Sequence, residues 1–252
     1  MRTIVITGAS GGIAQEIVKL LPSEDQLIVL GRSQKKLDQL YSHRAHTQCM
    51  PIDITNDQAI EKAINVIYQE FGHIDIFINN AGFGDFSHYD AYETGDIRAM
   101  FEVNTFATMT FSRLVGKKMA DRGQGHIINI ASIAGLIATS GSSVYSATKF
   151  AVIGFSNSLR LELADKNVYV TTVNPGPIAT HFFDQADPSG DYLKKVGKLT
   201  LQPDGVARRI VAIFGKNKRE LNMPFVLAAT HKFYTLFPKI SDFFAGKVFN
   251  YK

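Results

Sequence analysis

A single cysteine, Cys49, and no tryptophan occur among the 252 residues. One thiol excludes an internal disulfide and any cysteine-rich metal site, and no metal is expected. Cys49 adjoins Met50 in a short apolar run, where a small buried hydrophobe is the expected role. Long apolar runs are missing too. The longest uncharged stretch, residues 127–148, is broken by Asn129, Ser132, Gly135, Thr139, Ser140, Gly141 and three further serines, so no membrane span is expected. Only five residues separate Arg2 from the first glycine, too few for the apolar core of a secretory leader, and a cytoplasmic protein is expected. Arginine-rich blocks and finger motifs are absent, which argues against nucleic acid as a partner. The net charge of +4 suits anionic small molecules or an acidic membrane surface. No Pro/Ser-rich linker divides the chain, so one domain, residues 1–224, with an appendage, residues 225–252, is expected.

Short β-branched runs alternate with helical segments along this chain. Residues 2–7 read as a buried strand that runs into Gly8-Ala9-Ser10-Gly11-Gly12-Ile13-Ala14 and then a helix marked by Ile17, Val18, Leu20 and Leu21. Strand, glycine loop and helix together suit a diphosphate, because glycines let the backbone approach and the helix N-terminus offers unpaired N–H groups. Further strands are expected at residues 26–30, 48–50, 74–78, 125–131 and 168–173. Helices are expected at residues 34–41, from near Asn56, over 97–119 and over 143–166. Such alternation predicts an α/β, doubly wound Rossmann domain with a parallel sheet of about seven strands and helices on both faces. Ligands of such sheets bind beyond the C-terminal strand ends, which brings Gly8, Asn80, Gly82 and Ser132 to one crevice.

About 20 residues past the glycine loop, an acid would hold the ribose 2′-hydroxyl of NAD. Gly31-Arg32-Ser33 stands there instead, and Arg32 suits a 2′-phosphate, so NADP(H) is preferred over NAD(H). Asp53, ending the third strand ahead of Ile54, either accepts from an adenine amino group or prepares the cap at Thr55 and Asn56. Asn104 interrupts a helical pattern and wants a reason, either a hydrogen bond to a neighbouring strand or the holding of a water.

Tyr145 and Lys149 lie four residues apart, on one face of the expected helix, thirteen residues after Ser132. A free phenol titrates near 10, so proton transfer near neutrality asks for a cation beside it. Lys149 offers that cation, and Ser132 can hold a carbonyl or alcohol oxygen next to the phenol.

Thr7-Gly8-x-x-x-Gly12, Asn79-Asn80-Ala81-Gly82, Asn104, Ser132, Tyr145-x-x-x-Lys149 and Pro175-Gly176, in this order, resemble the short-chain dehydrogenase/reductase family over roughly residues 1–225. The resemblance implies hydride transfer between a nicotinamide cofactor and a carbonyl/alcohol pair. It implies Tyr145 as acid or base, Lys149 lowering its pKa and holding the nicotinamide ribose, Ser132 on the substrate oxygen, and Asn104 anchoring a relay water. Cofactor contacts are then expected at Gly8, Ser10, Gly11, Gly12, Ile13, Arg32, Ser33, Asp53, Ile54, Asn80, Ala81, Gly82, Tyr145, Lys149, Pro175, Gly176, Ile178 and Thr180. It further implies a homodimer or homotetramer. Two departures stand out: Ala14 replaces a third glycine, and Gly11 stands where NADP-dependent members often carry a base. Rival readings are an NAD-dependent alcohol dehydrogenase of the same fold and a non-catalytic dinucleotide sensor.

Apolar residues crowd the loops expected to meet a small-molecule substrate: Phe83, Phe86, Ile133, Leu136, Phe182, Phe183, Tyr192 and Leu193, with His88 and His181 nearby. That lining predicts a hydrophobic carbonyl or alcohol. In the tail, eight of twenty-eight residues are aromatic. Val226, Ala229, Phe233, Leu236 and Phe237 share one helical face, and Ile240, Phe243, Phe244 and Val248 another, amid Lys232, Lys239, Lys247 and Lys252. Two amphipathic helices of this kind suit packing on the domain or a partner, capping of the crevice, or peripheral contact with a membrane.

Overall fold

The computed structural model describes residues 1–190, 192, 194, 197–241 and 243. Alternate residues of β1 (Thr3–Thr7) face opposite ways: Ile4 and Ile6 enter one apolar core, Val5 the other. Along β2 (Gln26–Gly31), Leu27 and Val29 likewise oppose Ile28 and Leu30. With β3 (Thr47–Pro51), β4 (Ile76–Asn79), β5 (Gly125–Ile130), β6 (Val168–Pro175) and β7 (Glu220–Met223), they form a seven-stranded parallel sheet in the order 3-2-1-4-5-6-7.

A sheet apolar on both faces must be covered on both. One side carries α1 (Gly12–Leu20), α2 (Gln34–Tyr41) and α8 (Pro203–Val211), through residues such as Ile17, Leu37 and Ile210. The other carries α3 (Asp57–Phe71), α5 (Ala107–Arg122) and α6 (Ser143–Glu162), through Ile64, Phe111 and Leu159. The doubly wound α/β fold expected from the alternation is the one observed. β7, with only Leu221 and Met223 apolar, carries too weak a pattern to be read from sequence, yet its backbone pairs Leu221 with Val173 of β6.

Two expected helices differ. Residues 97–119 are not one helix: α4 (Thr94–Phe101) and α5 are joined by a π-helical turn at Glu102–Phe106, whose wider winding carries Asn104 inward to 1% exposure. The helix from Ser143 stops at Glu162, and a 3₁₀ turn (Ala164–Lys166) leads to Asn167 in the left-handed region. Cys49 is half-buried against the core, and burial followed by the neighbouring Asp38 pushes its thiol up to about 11.

β1 lies between β2 and β4, so the chain leaves it on one side and returns on the other. The crevice opens at that reversal. Gly8, at φ +61°, sits so close to the loop after β4 that a Cβ would lie 2.6 Å from Ala81 Cα. Only glycine lets the two loops touch.

Candidate active site

Ser132 follows β5 in extended backbone and caps a 3₁₀ turn, Ile133–Gly135, accepting from the Ala134 amide at 3.1 Å. Gly135 then rests on α6: a Cβ there would stand 2.7 Å from the Lys149 carbonyl. The turn and helix α6 therefore meet backbone to backbone. Tyr145 and Lys149, one helical turn apart, are buried to 7% and 5% exposure. The ammonium of Lys149 donates to Ile130 O at 3.1 Å and lies 5.7 Å from the Tyr145 ring centroid.

Burial pushes the Tyr145 phenol up to about 12, partly offset by the hydrogen bond from Ser132. Burial also pushes Lys149 down to about 8. Each group, stripped of water, is driven toward its neutral form. In this state Lys149 gives its hydrogen bond to Ile130, and Ser132 is the group that draws the phenol pKa down.

The Asn104 side-chain amide makes three hydrogen bonds, leaving Oδ1 able to accept one more. Oδ1 accepts from Phe83 N at 2.9 Å, and Nδ2 donates to Phe83 O at 2.9 Å and Thr148 Oγ1 at 3.1 Å. It ties the loop after β4 to helix α6 at Thr148, the residue before Lys149. Of the two reasons expected for it, a hydrogen-bonding role is the one visible, made to a loop and a helix rather than to a strand.

A cavity of about 690 Å³ opens above these groups. Ile13, Asn80, Gly82, Ser132, Tyr145, Lys149, Pro175, Gly176, Ile178 and Thr180 all line it. Gly8, Ser10, Gly11, Gly12 and Ala81 lie outside that lining, in the loops at the end of β1 and β4. Arg32 and Ser33 at the end of β2, and Asp53 and Ile54 past β3, continue along the same sheet edge. Ser33 caps α2, accepting from Lys36 N at 3.3 Å. Asp53 accepts from Thr55 N and Oγ1 at 3.0 and 2.7 Å, which with the nearby Arg32 holds its carboxyl below the usual range. Asn56 is the cap of α3. The loop residues fit a dinucleotide: among the described residues, the amides of Ser10, Gly12 and Ile13 donate to no protein acceptor.

The substrate side is aromatic. Phe86 is the hub, with ring centroids 5.5 Å from Tyr145, 5.0 Å from Tyr192 and 6.0 Å from Phe183, while Phe182 in α7 (Phe182–Ala186) lies 5.8 Å from Tyr145. Phe86 N donates to Ala186 O at 2.9 Å, joining the two loops. Ile133 also lines the cavity. Leu136 instead fills a small core with Ile153, and Phe83 is outside the lining. His88 and His181 face solvent, paired with Asp90 and Asp184. Leu193 lies outside the described residues. Sequence reasoning missed the segment Thr139–Ser142, whose small polar residues carry no signal, and Pro177.

It also left the tail's place open. Helix α9 (Phe225–Leu236) lines the cavity with Leu227, Thr230, Phe233 and Tyr234, and His231 Nδ1 lies 3.1 Å from Leu136 O. Of the face Val226, Ala229, Phe233, Leu236 and Phe237, Phe233 reaches the cavity lining, and Val226, Leu236 and Phe237 are exposed in the single chain. Of the second expected helix, Ile240 and Phe243 are described and exposed, whereas Phe244, Lys247, Val248 and Lys252 lie outside the described residues.

The short chain dehydrogenase family profile matches residues 2–189. An uncharacterized oxidoreductase of Staphylococcus aureus (strain USA300) is 32% identical over 213 residues, 83% of this chain and 89% of that one. Among solved structures, the closed form of a serine dehydrogenase complexed with NADP+ shares 29% identity at a TM-score of 0.80, covering 89% of this chain and 95% of that one. NADP-bound ElxO shares 26% at 0.79, covering 88% and 96%. Sheet order, crevice and matches agree, and the chain belongs to the short-chain dehydrogenase family, as an oxidoreductase that works with a nicotinamide cofactor.

Proposed function

We propose that the protein transfers a hydride between NADP(H) and the carbonyl or alcohol carbon of a small, uncharged, hydrophobic substrate. The observation that carries this reading is the Ser132–Tyr145 hydroxyl pair beside Lys149, opening on an aromatic crevice. When bound, the nicotinamide supplies or takes the hydride. Ser132 holds the substrate oxygen. Tyr145 gives that oxygen a proton in reduction and removes it in oxidation. Lys149 holds the nicotinamide ribose and favours the ionised phenol through its charge, and Asn104 anchors a relay water. Among the described lining residues, Lys149 and Asp187 bear the charges, and Asp187 accepts from Ser189 Oγ and Tyr192 N. With Lys149 assigned to the ribose, no cation among the described lining residues is left to hold an anionic substrate.

For the cofactor, Gly8, Ser10, Gly11, Gly12 and Ile13 take the diphosphate and Arg32 with Ser33 the 2′-phosphate. Asp53 and Ile54 take the adenine, and Asn80, Ala81, Gly82, Pro175, Gly176, Ile178 and Thr180 the nicotinamide half. The uncharged Gly11 supports the NAD-linked alternative. Titration of the wild type and Arg32→Ala with NADPH and NADH decides: tighter NADPH binding that collapses in the variant supports NADP(H), equal binding in both supports NAD(H), and no binding ends the cofactor reading. Full activity in Tyr145→Phe would remove Tyr145 from the chemistry, and dinucleotide binding without turnover of any carbonyl or alcohol would leave only a dinucleotide sensor.

We place the enzyme in the cytoplasm as a homodimer or homotetramer, with residues 1–224 as catalytic domain and 225–252 as appendage. Ile97, Phe106 and Phe150, exposed on the packed elements α4, the π turn and α6, support self-association, which light scattering tests. The exposed apolar residues of α9, with Lys232 and Lys239, favour peripheral contact with an anionic membrane. No helix among the described residues is long and apolar enough to cross one. Loss of sedimentation with anionic vesicles on truncation after residue 224 tests that contact.

A further inference from the structure

Four consecutive main-chain carbonyls of the glycine loop are turned into the protein. Gly8 O accepts from the Gly11 amide and from Asn80 Nδ2, both at 3.0 Å. Ala9 O accepts from Tyr41 Oη at 2.5 Å, Ser10 O from Gln15 Nε2 at 2.9 Å, and Gly11 O from Gln15 N at 3.1 Å. Most of these donors belong to the loop, to its own helix or to the loop after β4. Tyr41 comes from the last turn of α2, thirty-two residues on.

A trans peptide unit is planar, with its C=O and N–H opposed. Anchoring Ala9 O on Tyr41 therefore aims the Ser10 amide the other way, toward the open side of the loop, where it donates to no protein acceptor among the described residues. Turned over, the same peptide would present a carbonyl oxygen to an anion and lose a donor. We propose that Tyr41 is a positioning residue for the dinucleotide, fixing the Ala9–Ser10 peptide so that the Ser10 amide donates to the cofactor diphosphate. The inference rests on the reading above that this loop takes the diphosphate. Tyr41 is 3% exposed and packed among Leu37, Ile17 and other residues of one core, so its hydroxyl has little freedom to turn elsewhere. Burial pushes its phenol well above the ordinary range, which keeps it a donor. The helix that carries it begins next to Arg32, so Tyr41 links the two ends of the adenosine diphosphate site.

Calorimetric titration of the full chain tests this with NADPH and with adenosine 2′-phosphate, which shares the adenosine end and lacks the diphosphate. For NADH the matching fragment is adenosine. Tyr41→Phe is expected to weaken the dinucleotide about tenfold, the effect of one lost donor to a charged group, and to leave the fragment within about twofold. Equal loss for dinucleotide and fragment shows that Tyr41 merely holds α2 in place and overturns the proposal, as does no loss for either. Amide exchange in the wild type is a second reading that needs no variant. Exchange at Ser10 is expected to slow with the dinucleotide and not with the fragment, and unchanged exchange overturns the assignment. A wild type that binds neither dinucleotide overturns the cofactor reading itself, an outcome distinct from tight binding that Tyr41→Phe leaves untouched.

Discussion

Lys149 donates its ammonium to the main-chain carbonyl of Ile130, at the end of β5, rather than to the phenol it accompanies on α6. The lysine is thereby held at the strand end, 5.7 Å from the Tyr145 ring, with burial lowering its pKa to about 8. Carbonyl reduction that uses the protonated phenol and the charged lysine is expected to lose kcat/KM as pH rises through about 8. A pH–rate profile flat to pH 10 would show that the charge on Lys149 is not needed.

Tyr145 is a protonated phenol across the neutral range, since burial outweighs the Ser132 hydrogen bond. Tyr145→Phe keeps the ring and its contacts with Phe86 and Phe182 and removes only the hydroxyl group. Loss of a general acid costs about 10²–10⁴ in rate, and kcat is expected to fall by about 10³ while cofactor affinity stays within about twofold. Single-turnover measurements with fluorescence titration separate the two quantities. Comparable loss of cofactor binding would assign Tyr145 to binding rather than chemistry.

Phe86 touches Tyr145 and Tyr192 and, through its amide, the carbonyl of Ala186. Truncation to alanine removes the hub of the apolar wall and keeps the backbone tie. For a bulky hydrophobic ketone, KM is expected to rise about tenfold, in line with the loss of a buried aromatic face. For a ketone of three or four carbons the change should be small. A uniform effect across both would place Phe86 in the fold rather than in selection.

His126, at the opposite end of β5 from Ser132, is fully buried. Its Nδ1 accepts from Gly215 N at 3.2 Å, so the proton sits on Nε2, 2.8 Å from Thr171 Oγ1. Thr171 Oγ1 in turn donates to Lys218 O. Burial lowers this histidine from 6.5 to about 4. Between those values the unfolded chain binds a proton that the folded one does not. Stability is therefore complete above pH 6.5 and falls by roughly 3 kcal/mol as pH drops to about 4. Urea unfolding at pH 7.5 and pH 5 should show a loss that His126→Gln, although less stable overall, does not share.

The sheet and its crevice were legible because continuous β-branched apolar runs and glycine turns are local signals. Ile4, Val5 and Ile6 declare a strand covered on both sides before any neighbour is known. Ser132, Tyr145 and Lys149 were legible as types and spacings, yet their protonation was not, because it depends on how much water the fold removes. Asn104 announced itself as a misfit, and the π turn that places it has no sequence signature of its own. The place of helix α9 stayed open for a physical reason: its apolar residues spread over more than one face. A periodicity argument cannot choose between the face with Leu227 and Tyr234, which meets the crevice, and the face with Val226 and Leu236, which meets solvent.

Gly135 touching the carbonyl of Lys149 has a wider consequence. The spacing between the serine turn and the tyrosine helix is gauged by two main chains in van der Waals contact, with no side chain between them at residue 135. A single methyl group added at residue 135 would therefore press on the Lys149 main chain and push the serine turn away from the tyrosine helix.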